Sequence, residues 1–238
     1  MGEAMRRRLS AIALLASLAL AATAQICAAA PLPAAQGENQ NALVAKAQAA
    51  LDAKQWPDAE AALKQLSASE PRWEYFEALG AAQFNQGHYA DSLNSYQRAI
   101  DLAGKSASPA AIGQMYTTIG NANLKLKKND AAIAAYNKAA ALSPNPAIAY
   151  FNLCATMFNM GQPAAKTVPA CDKAIAADPK KADAYFVKGS VMLGQATAGK
   201  NGKLTAPPGT VETLKQYLVL APDGAHAKDV KEMLDFLK

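Results

Sequence analysis

Histidine and cysteine, the residues that build most metal and redox sites, are scarce in this sequence. The 238 residues include two histidines, His88 and His226, and three cysteines, Cys27, Cys154 and Cys171. A structural zinc site takes four such side chains, and a redox motif or a covalent haem site takes two cysteines separated by two residues. This chain has neither spacing, so the sequence predicts no metal and no cofactor.

Charged and aromatic side chains are also limited. Charged residues make up 18% of the chain and aromatic residues 7%, against 51% hydrophobic residues. Alanine is abundant, which favours tightly packed helices over a sheet of β-branched and aromatic residues. The formal net charge of +5 is too small to indicate a nucleic-acid partner, and it falls further if Arg6, Arg7 and Arg8 are removed.

The groupings on which enzymes depend are missing as well. We find no nucleophile beside a base, no paired carboxylates and no phosphate-binding glycine loop; residues 199–203 are basic and glycine-rich but lack the P-loop spacing. His88 and His226 are interpreted as surface residues. The sequence therefore predicts a protein without enzymatic activity.

The N-terminal residues have the pattern of a secretory signal peptide. Three arginines precede an uncharged run over residues 9–24, which ends in the small residues Ala22, Thr23 and Ala24. The run is shorter than the roughly 20 residues of a membrane span. We predict a signal peptide over 1–24, a flexible linker over 25–39, and export, with the periplasm of a Gram-negative bacterium as the compartment.

A membrane association would require one of two other outcomes. Residues 9–24 would have to remain as an uncleaved anchor, or Cys27 would have to carry a lipid. Lipid-modified cysteines follow a small residue, and Ile26 stands at that place. Cleavage after Ala24 is therefore the preferred interpretation.

The rest of the chain repeats with a period of about 34 residues in most units. A series of mostly small residues is spaced by 33, 40, 34 and 35: Ala47, Gly80, Gly120, Cys154 and Gly189. Proline or glycine closes each segment at Pro71, Gly104, Pro144, Pro179 and Pro222. Each unit has two stretches of helical periodicity joined by a short turn, as at Gly87.

This pattern resembles the tetratricopeptide repeat family. The match is close over residues 87–100 (GHYADSLNSYQRAI), 129–144 (NDAAIAAYNKAAALSP) and 172–179 (DKAIAADP). The resemblance implies an all-α fold, a right-handed superhelix (solenoid) of about five helical hairpins over residues 40–238. The units are expected at 40–72, 73–106, 113–146, 147–181 and 182–224, with a capping helix at 226–237.

Four places depart from the repeat. Extra residues at 104–109 predict a longer loop. Glycine and proline in the segment 196–209 exclude a continuous helix there, and residues 199–203 within it predict a solvated, mobile loop. Pro169 predicts that its helix begins late or is kinked. Tyr217 is large where the other units mostly have alanine, so the alignment is weakest there.

Members of the family bind peptides in a concave groove lined by the first helix of each unit. The positions that the resemblance places in this groove are Glu77, Phe84, Asn85, Thr117, Asn121, Leu124, Lys125, Phe151, Asn152, Phe158, Asn159 and Phe186, with Ala81, Asp183, Ser190 and Leu193 beside them. The phenylalanines have a second interpretation, which is packing between units. The lysine, arginine and asparagine clamp that captures a chaperone's C-terminal carboxylates is not matched, because Val44 and Gln48 stand in the first unit.

The alignment also places two cysteines near each other. Cys154 takes the small-residue position of the fourth unit, and Cys171 stands where Tyr96 and Tyr136 stand in theirs. In an oxidising compartment such neighbours could form a disulfide; the other interpretation is two buried free thiols.

These observations favour an exported, non-enzymatic scaffold that binds a protein or peptide partner in its groove. The alternative is a membrane-tethered structural subunit or assembly factor of a cell-envelope complex. A thiol carrier that uses Cys154 and Cys171 is disfavoured, since reactive thiols are exposed and these positions face inward.

Overall fold

A computed structural model describes residues 31–34, 37–198 and 204–237 of the chain. The predicted signal peptide at 1–24, Cys27 and the tip of the 196–209 segment lie outside the described residues. The first linker residues that are described, 31–34, make hydrogen bonds to the folded part of the chain.

The described residues form eleven α-helices and one two-stranded antiparallel hairpin. In chain order these are α1 (Glu38–Asp52), α2 (Trp56–Ser69), α3 (Trp73–Asn85), α4 (Tyr89–Ala103), α5 (Pro109–Lys125), α6 (Asn129–Leu142), α7 (Ala147–Asn159), α8 (Ala164–Ala177), α9 (Ala182–Leu193), β1 (Thr197–Ala198), β2 (Leu204–Thr205), α10 (Thr210–Leu220) and α11 (Ala227–Asp235).

Successive helices pack as antiparallel pairs, so the predicted all-α repeat fold is confirmed. The chain divides into two compact units at Pro144. The unit that ends at Pro144 contains the pairs α1/α2, α3/α4 and α5/α6, and the unit that begins at Asn145 contains α7/α8, α9/α10 and the last helix.

Four of the pairs turn at the same register. The residue seven positions after each of the first four small residues has a positive φ: Lys54 (56°), Gly87 (83°), Lys127 (58°) and Gly161 (63°). A left-handed residue just beyond a helix ends it and reverses the chain. The connections are therefore short, and each second helix packs directly against its own first helix.

Within a pair, the two helices approach most closely where a glycine meets a large side chain. A Cβ atom at Gly80 would lie 2.8 Å from Cδ2 of Tyr96, and one at Gly189 would lie 2.5 Å from Cδ2 of Leu214. At Gly120 it would collide with the ring of Tyr136. The small-residue series seen in the sequence therefore marks the helix crossings.

Pro169 does not delay its helix, contrary to one of the two predictions made for it. α8 begins at Ala164, and the proline lies inside it. The hydroxyl of Thr167 donates to the carbonyls of Gln162 (3.2 Å) and Pro163 (3.3 Å) and so closes the first turn. Pro169 is the sixth residue of α8 and lacks the N–H that a regular helix would use there, and its ring is exposed.

The ends of the 196–209 segment pair with each other, while residues 199–203, the predicted mobile loop, lie outside the described residues. Thr197 and Ala198 pair with Thr205 and Leu204 in an antiparallel ladder, and Leu204 is buried. The fifth pair thus replaces the short left-handed turn of the others with a β-hairpin. The absence of a continuous helix here agrees with the sequence.

The last helix covers the end of the fifth pair through Val230 and Met233, both buried. His226, just before this helix, was predicted to be an ordinary surface residue, and that prediction is wrong. Its ring stacks on Phe186 with a centroid distance of 3.9 Å, and its backbone N–H donates to the hydroxyl of Tyr217 at 3.0 Å. Aromatic burial at this joint outweighs the polarity of imidazole.

We predict that Gly120→Ala lowers the free energy of unfolding by about 1–2 kcal/mol, although alanine is the better helix former. The added methyl group has to displace the ring of Tyr136. Urea unfolding of the single variants and of Gly120→Ala/Tyr136→Leu measures the coupling. The alanine should cost clearly less when the ring is replaced by the smaller, flexible leucine side chain; additive effects would contradict the contact.

Candidate functional site

The first helices α3 and α5 share an apolar cluster and carry predicted groove residues at the same register. The cluster contains Ala81 of α3 and Met115 of α5. Glu77 lies three residues before its crossing glycine, Gly80, as Thr117 does before Gly120; Phe84 and Leu124 lie four residues after theirs. We call Glu77, Phe84, Thr117 and Leu124 the α3/α5 face.

Glu77 is the electrostatically unusual member of this face. Its side chain is half-buried, and burial together with the nearby carboxylate of Glu74 raises its pKa to about 7. Within the described residues Glu77 has no hydrogen bond or ion pair that would offset this burial. A carboxylate in such a place is ready to accept a hydrogen bond from a cation.

The other members of the face are half-buried and differ in how they are held. Phe84 packs edge-to-face on Tyr89, with ring centroids 5.4 Å apart. The hydroxyl of Thr117 donates to the carbonyl of Gly113 at 3.1 Å, so its proton is not free to donate to a ligand. Beside the face, the amide of Asn85 donates to Ala81 at 2.9 Å, and Lys125 is exposed.

Asn121 belongs to the hairpin core and not to an open surface. It is 8% exposed, and its side-chain oxygen accepts a 2.7 Å hydrogen bond from the hydroxyl of Tyr136. Burial raises the pKa of that hydroxyl. The asparagine satisfies a phenol that the crossing at Gly120 forces inside.

In the unit that begins at Asn145, three of the predicted groove residues are buried. Phe151 and Asn152 are 6% and 5% exposed, and the ammonium of Lys181 lies 4.8 Å from the centre of the Phe151 ring. Phe186 is fully buried under His226. Packing, the second interpretation offered for the phenylalanines, describes Phe151 and Phe186, whereas Phe158 is half-buried and Asn159 is exposed.

Cys154 and Cys171 form a disulfide between α7 and α8, with the sulfur atoms 2.10 Å apart and the Cα atoms 4.9 Å apart. Both residues are fully buried. The bond lies at the crossing, where the neighbouring pairs place glycine against tyrosine or leucine. A covalent bridge thus fills the space that a large side chain fills elsewhere.

A buried polar network in the first unit was not found from the sequence. Glu60 of α2 is 7% exposed and accepts hydrogen bonds from Gln83 (3.2 Å) and Gln86 (2.6 Å), while Lys64 pairs with it at 2.8 Å. Burial acts to raise the pKa of Glu60, but the hydrogen bonds and the charge of Lys64 outweigh it and lower the pKa.

This network joins successive pairs rather than forming a site. The hydroxyl of Ser95 in α4 donates to Gln83 at 2.7 Å and extends it to a third helix. Only the Glu60–Lys64 spacing of four residues was visible as a signal in the sequence, and such pairs are common on exposed helices. His88, at 3.5 Å from Glu60, is a surface residue as predicted.

Two features were looked for among the side chains and helices of the described residues. Over the described ranges, no group of three or more histidine, cysteine, aspartate or glutamate side chains is arranged to hold a metal ion. Among the same residues, no helix has both the length and the hydropathy needed to cross a bilayer.

Comparison with known proteins supports the tetratricopeptide resemblance. The family model described as "TPR repeat" matches residues 120–161. No curated protein sequence matches the chain.

Several solved structures have the same fold. A structure of the MamA protein is 24% identical, with a TM-score of 0.64 over 81% of this chain and 96% of that one. MamA 41-end from Desulfovibrio magneticus RS-1 is 18% identical, with a TM-score of 0.64 over 80% and 99%. YrrB, "a TPR protein with an unusual peptide-binding site", is 17% identical, with a TM-score of 0.62 over 82% and 94%. The chain thus has the all-α repeat fold of these structures, and residues 120–161 match the tetratricopeptide repeat model.

We predict that reducing the Cys154–Cys171 disulfide lowers the free energy of unfolding by about 3 kcal/mol, because the bridge closes a loop of 17 residues. Urea unfolding with and without reductant, in a Cys27→Ser background, measures the loss. Cys154→Ala/Cys171→Ala should have the unfolding free energy of the reduced protein, and reductant should not change it. If reductant leaves the unfolding curve of the parent protein unchanged, the bridge does not stabilise the fold.

A matched variant separates the bond from the packing. Cys154→Gly/Cys171→Tyr places in the fourth pair the glycine and tyrosine that the third pair has at Gly120 and Tyr136. It should be insensitive to reductant and more stable than the double alanine variant, because the ring fills the crossing.

Proposed function

We propose that this protein is an exported, non-enzymatic scaffold that holds a partner polypeptide on the α3/α5 face. The observation that carries the proposal is Glu77, a half-buried carboxylate without a partner among the described residues, with Phe84 nearby on the same helix. Burying a charge without a partner costs free energy. A lysine or arginine of the partner would remove that cost through a charge-assisted hydrogen bond.

The apolar members of the face define the rest of the partner's chemistry. Phe84 and Leu124 keep part of their surface open to solvent, and half-buried aromatic side chains are effective anchors for apolar groups. The expected partner therefore presents a basic side chain next to an aliphatic or aromatic one. The shared fold with YrrB, a TPR protein with an unusual peptide-binding site, supports the class of interaction.

A catalytic role is not part of the proposal. Acid–base or nucleophilic chemistry needs at least two cooperating groups. On the α3/α5 face the hydroxyl of Thr117 is committed to Gly113, so Glu77 is the one titratable group among the four members of the face.

Export is proposed on two grounds. The first is the signal pattern of residues 1–24. The second is the Cys154–Cys171 disulfide, since structural disulfides persist in oxidising compartments and are rare in the cytosol. The periplasm of a Gram-negative bacterium satisfies both.

The partner chemistry is tested by selecting peptides from a random display library on the full chain and measuring their affinities by calorimetry. Selected peptides should contain a lysine or arginine beside an apolar residue. Glu77→Gln should weaken them by about tenfold, the worth of one charge-assisted hydrogen bond. Glu232→Gln, at an exposed carboxylate of α11, is the matched control.

The pH dependence gives a second readout. Since the pKa of Glu77 is raised to about 7, its carboxylate is mostly protonated at pH 6 and ionised at pH 8. Affinity for a basic peptide should rise across that range in the parent protein and stay flat in Glu77→Gln. Equal affinities of the two proteins at pH 8 would refute this face as the site.

Export is tested by fractionating cells of the native host and measuring the mass of the intact mature protein by mass spectrometry. We expect a soluble periplasmic protein that begins at Gln25 with no lipid on Cys27. Retention of residues 9–24, or a lipid mass together with membrane fractionation, would favour the membrane-tethered subunit instead. A cytosolic full-length chain would contradict export altogether.

A further inference from the structure

The short segment at residues 31–34, Pro-Leu-Pro-Ala, is bound by side chains of α1 and of the start of α3. The backbone N–H of Leu32 donates to the side-chain oxygen of Gln48 at 3.0 Å. The hydroxyl of Tyr75 donates to the carbonyl of Pro33 at 3.1 Å, and the guanidinium of Arg72 donates to the carbonyl of Ala34 at 2.8 Å. Three consecutive residues are thus held through their backbone atoms.

The three side chains that hold the segment are themselves oriented. The amide nitrogen of Gln48 donates to Asp52 at 2.8 Å, which points its oxygen at Leu32. Arg72 is paired with Glu70 at 3.4 Å, and its guanidinium carbon lies 5.8 Å from the centre of the Tyr75 ring. Side chains fixed in advance lose little freedom when they bind a peptide.

The surface also contacts one side chain of the segment, that of Leu32. Leu32 packs against the apolar core of the first two pairs, which includes Val44, Ala47 and Tyr75. Because the three hydrogen bonds are to backbone atoms, they do not select side chains, whereas the packing of Leu32 selects an aliphatic one.

The two prolines suit the segment to this surface. Proline fixes its own φ and biases the residue before it toward extended backbone, so Leu32 is held extended between Pro31 and Pro33. Neither proline has a backbone N–H, so Leu32 has the one backbone donor within residues 31–33. The side-chain oxygen of Gln48 accepts a hydrogen bond from it. Such a segment loses little conformational entropy on docking.

We propose that Gln48, Arg72 and Tyr75, with the apolar surface beneath Leu32, form a binding site for an extended peptide, and that residues 31–34 occupy it in cis. The ligand is an aliphatic residue in extended backbone followed by two residues that offer their carbonyls. This inference goes beyond the proposed function, because none of these residues belongs to the α3/α5 face.

Occupation in cis has a quantitative consequence. Only residues 35–37 separate the segment from the first residue of α1. A tether this short gives an effective concentration in the millimolar range or above. A peptide in solution therefore competes poorly with the chain's own segment, and the site opens to a partner only when the segment is released.

The test uses the full chain and a fluorescein-labelled peptide with the sequence of residues 30–35, Ala-Pro-Leu-Pro-Ala-Ala. Leu32→Asp places a charge on the apolar surface and releases the segment, while residue 32 lies outside every helix. Fluorescence anisotropy should show the peptide binding Leu32→Asp at least tenfold more tightly than the parent protein. A peptide with aspartate in place of leucine should not bind either protein.

Two further variants, both built on Leu32→Asp, identify the site. Adding Gln48→Ala should weaken the peptide by at least threefold. Adding Gln97→Ala should not, although Gln97 makes the same 2.8 Å hydrogen bond to an aspartate four residues on. The proposal is overturned if Leu32→Asp binds no more tightly than the parent, or if Gln48→Ala and Gln97→Ala act alike.

Discussion

The close crossing of the two helices in each pair is the constraint on which the rest of this structure depends. Gly80 and Gly120 leave no room for a side chain because a tyrosine ring of the second helix lies against their backbone, and Leu214 does the same at Gly189. That contact sets the separation of the helices and therefore the register of every other residue in the pair. Glu77 and Thr117 occupy equivalent positions in their helices because each lies three residues before its crossing glycine.

In the fourth pair a covalent bond takes the place of ring packing at the helix crossing. Cys154 and Cys171 stand at the glycine and tyrosine positions and join the helices by a bond instead of by ring packing. Structural disulfides persist in oxidising compartments and are rare in the cytosol, so this substitution is consistent with the proposed export. Asn121 shows a second dependence, since it binds the hydroxyl that the crossing buries.

The candidate site followed from the sequence only in part. Register alone placed Glu77 and Phe84 together with Thr117 and Leu124, but it could not separate an open position from a covered one. Phe186 and Asn152 occupy groove positions by alignment and are buried, because the side chains that cover them, such as His226, come from elements with no fixed spacing to them. The pKa of Glu77 likewise depends on burial, which a spacing pattern does not contain.

What the sequence determined by itself was the repeat: the helices, the short turns between them, and the pairing of helices across each turn. These features are local, since backbone conformation and helical period act over fewer than ten residues. Tertiary structure alone decided that residues 31–34 bind Gln48 and Tyr75 and that His226 is buried. Each of these depends on how much apolar and polar surface distant segments offer one another, which no local pattern encodes.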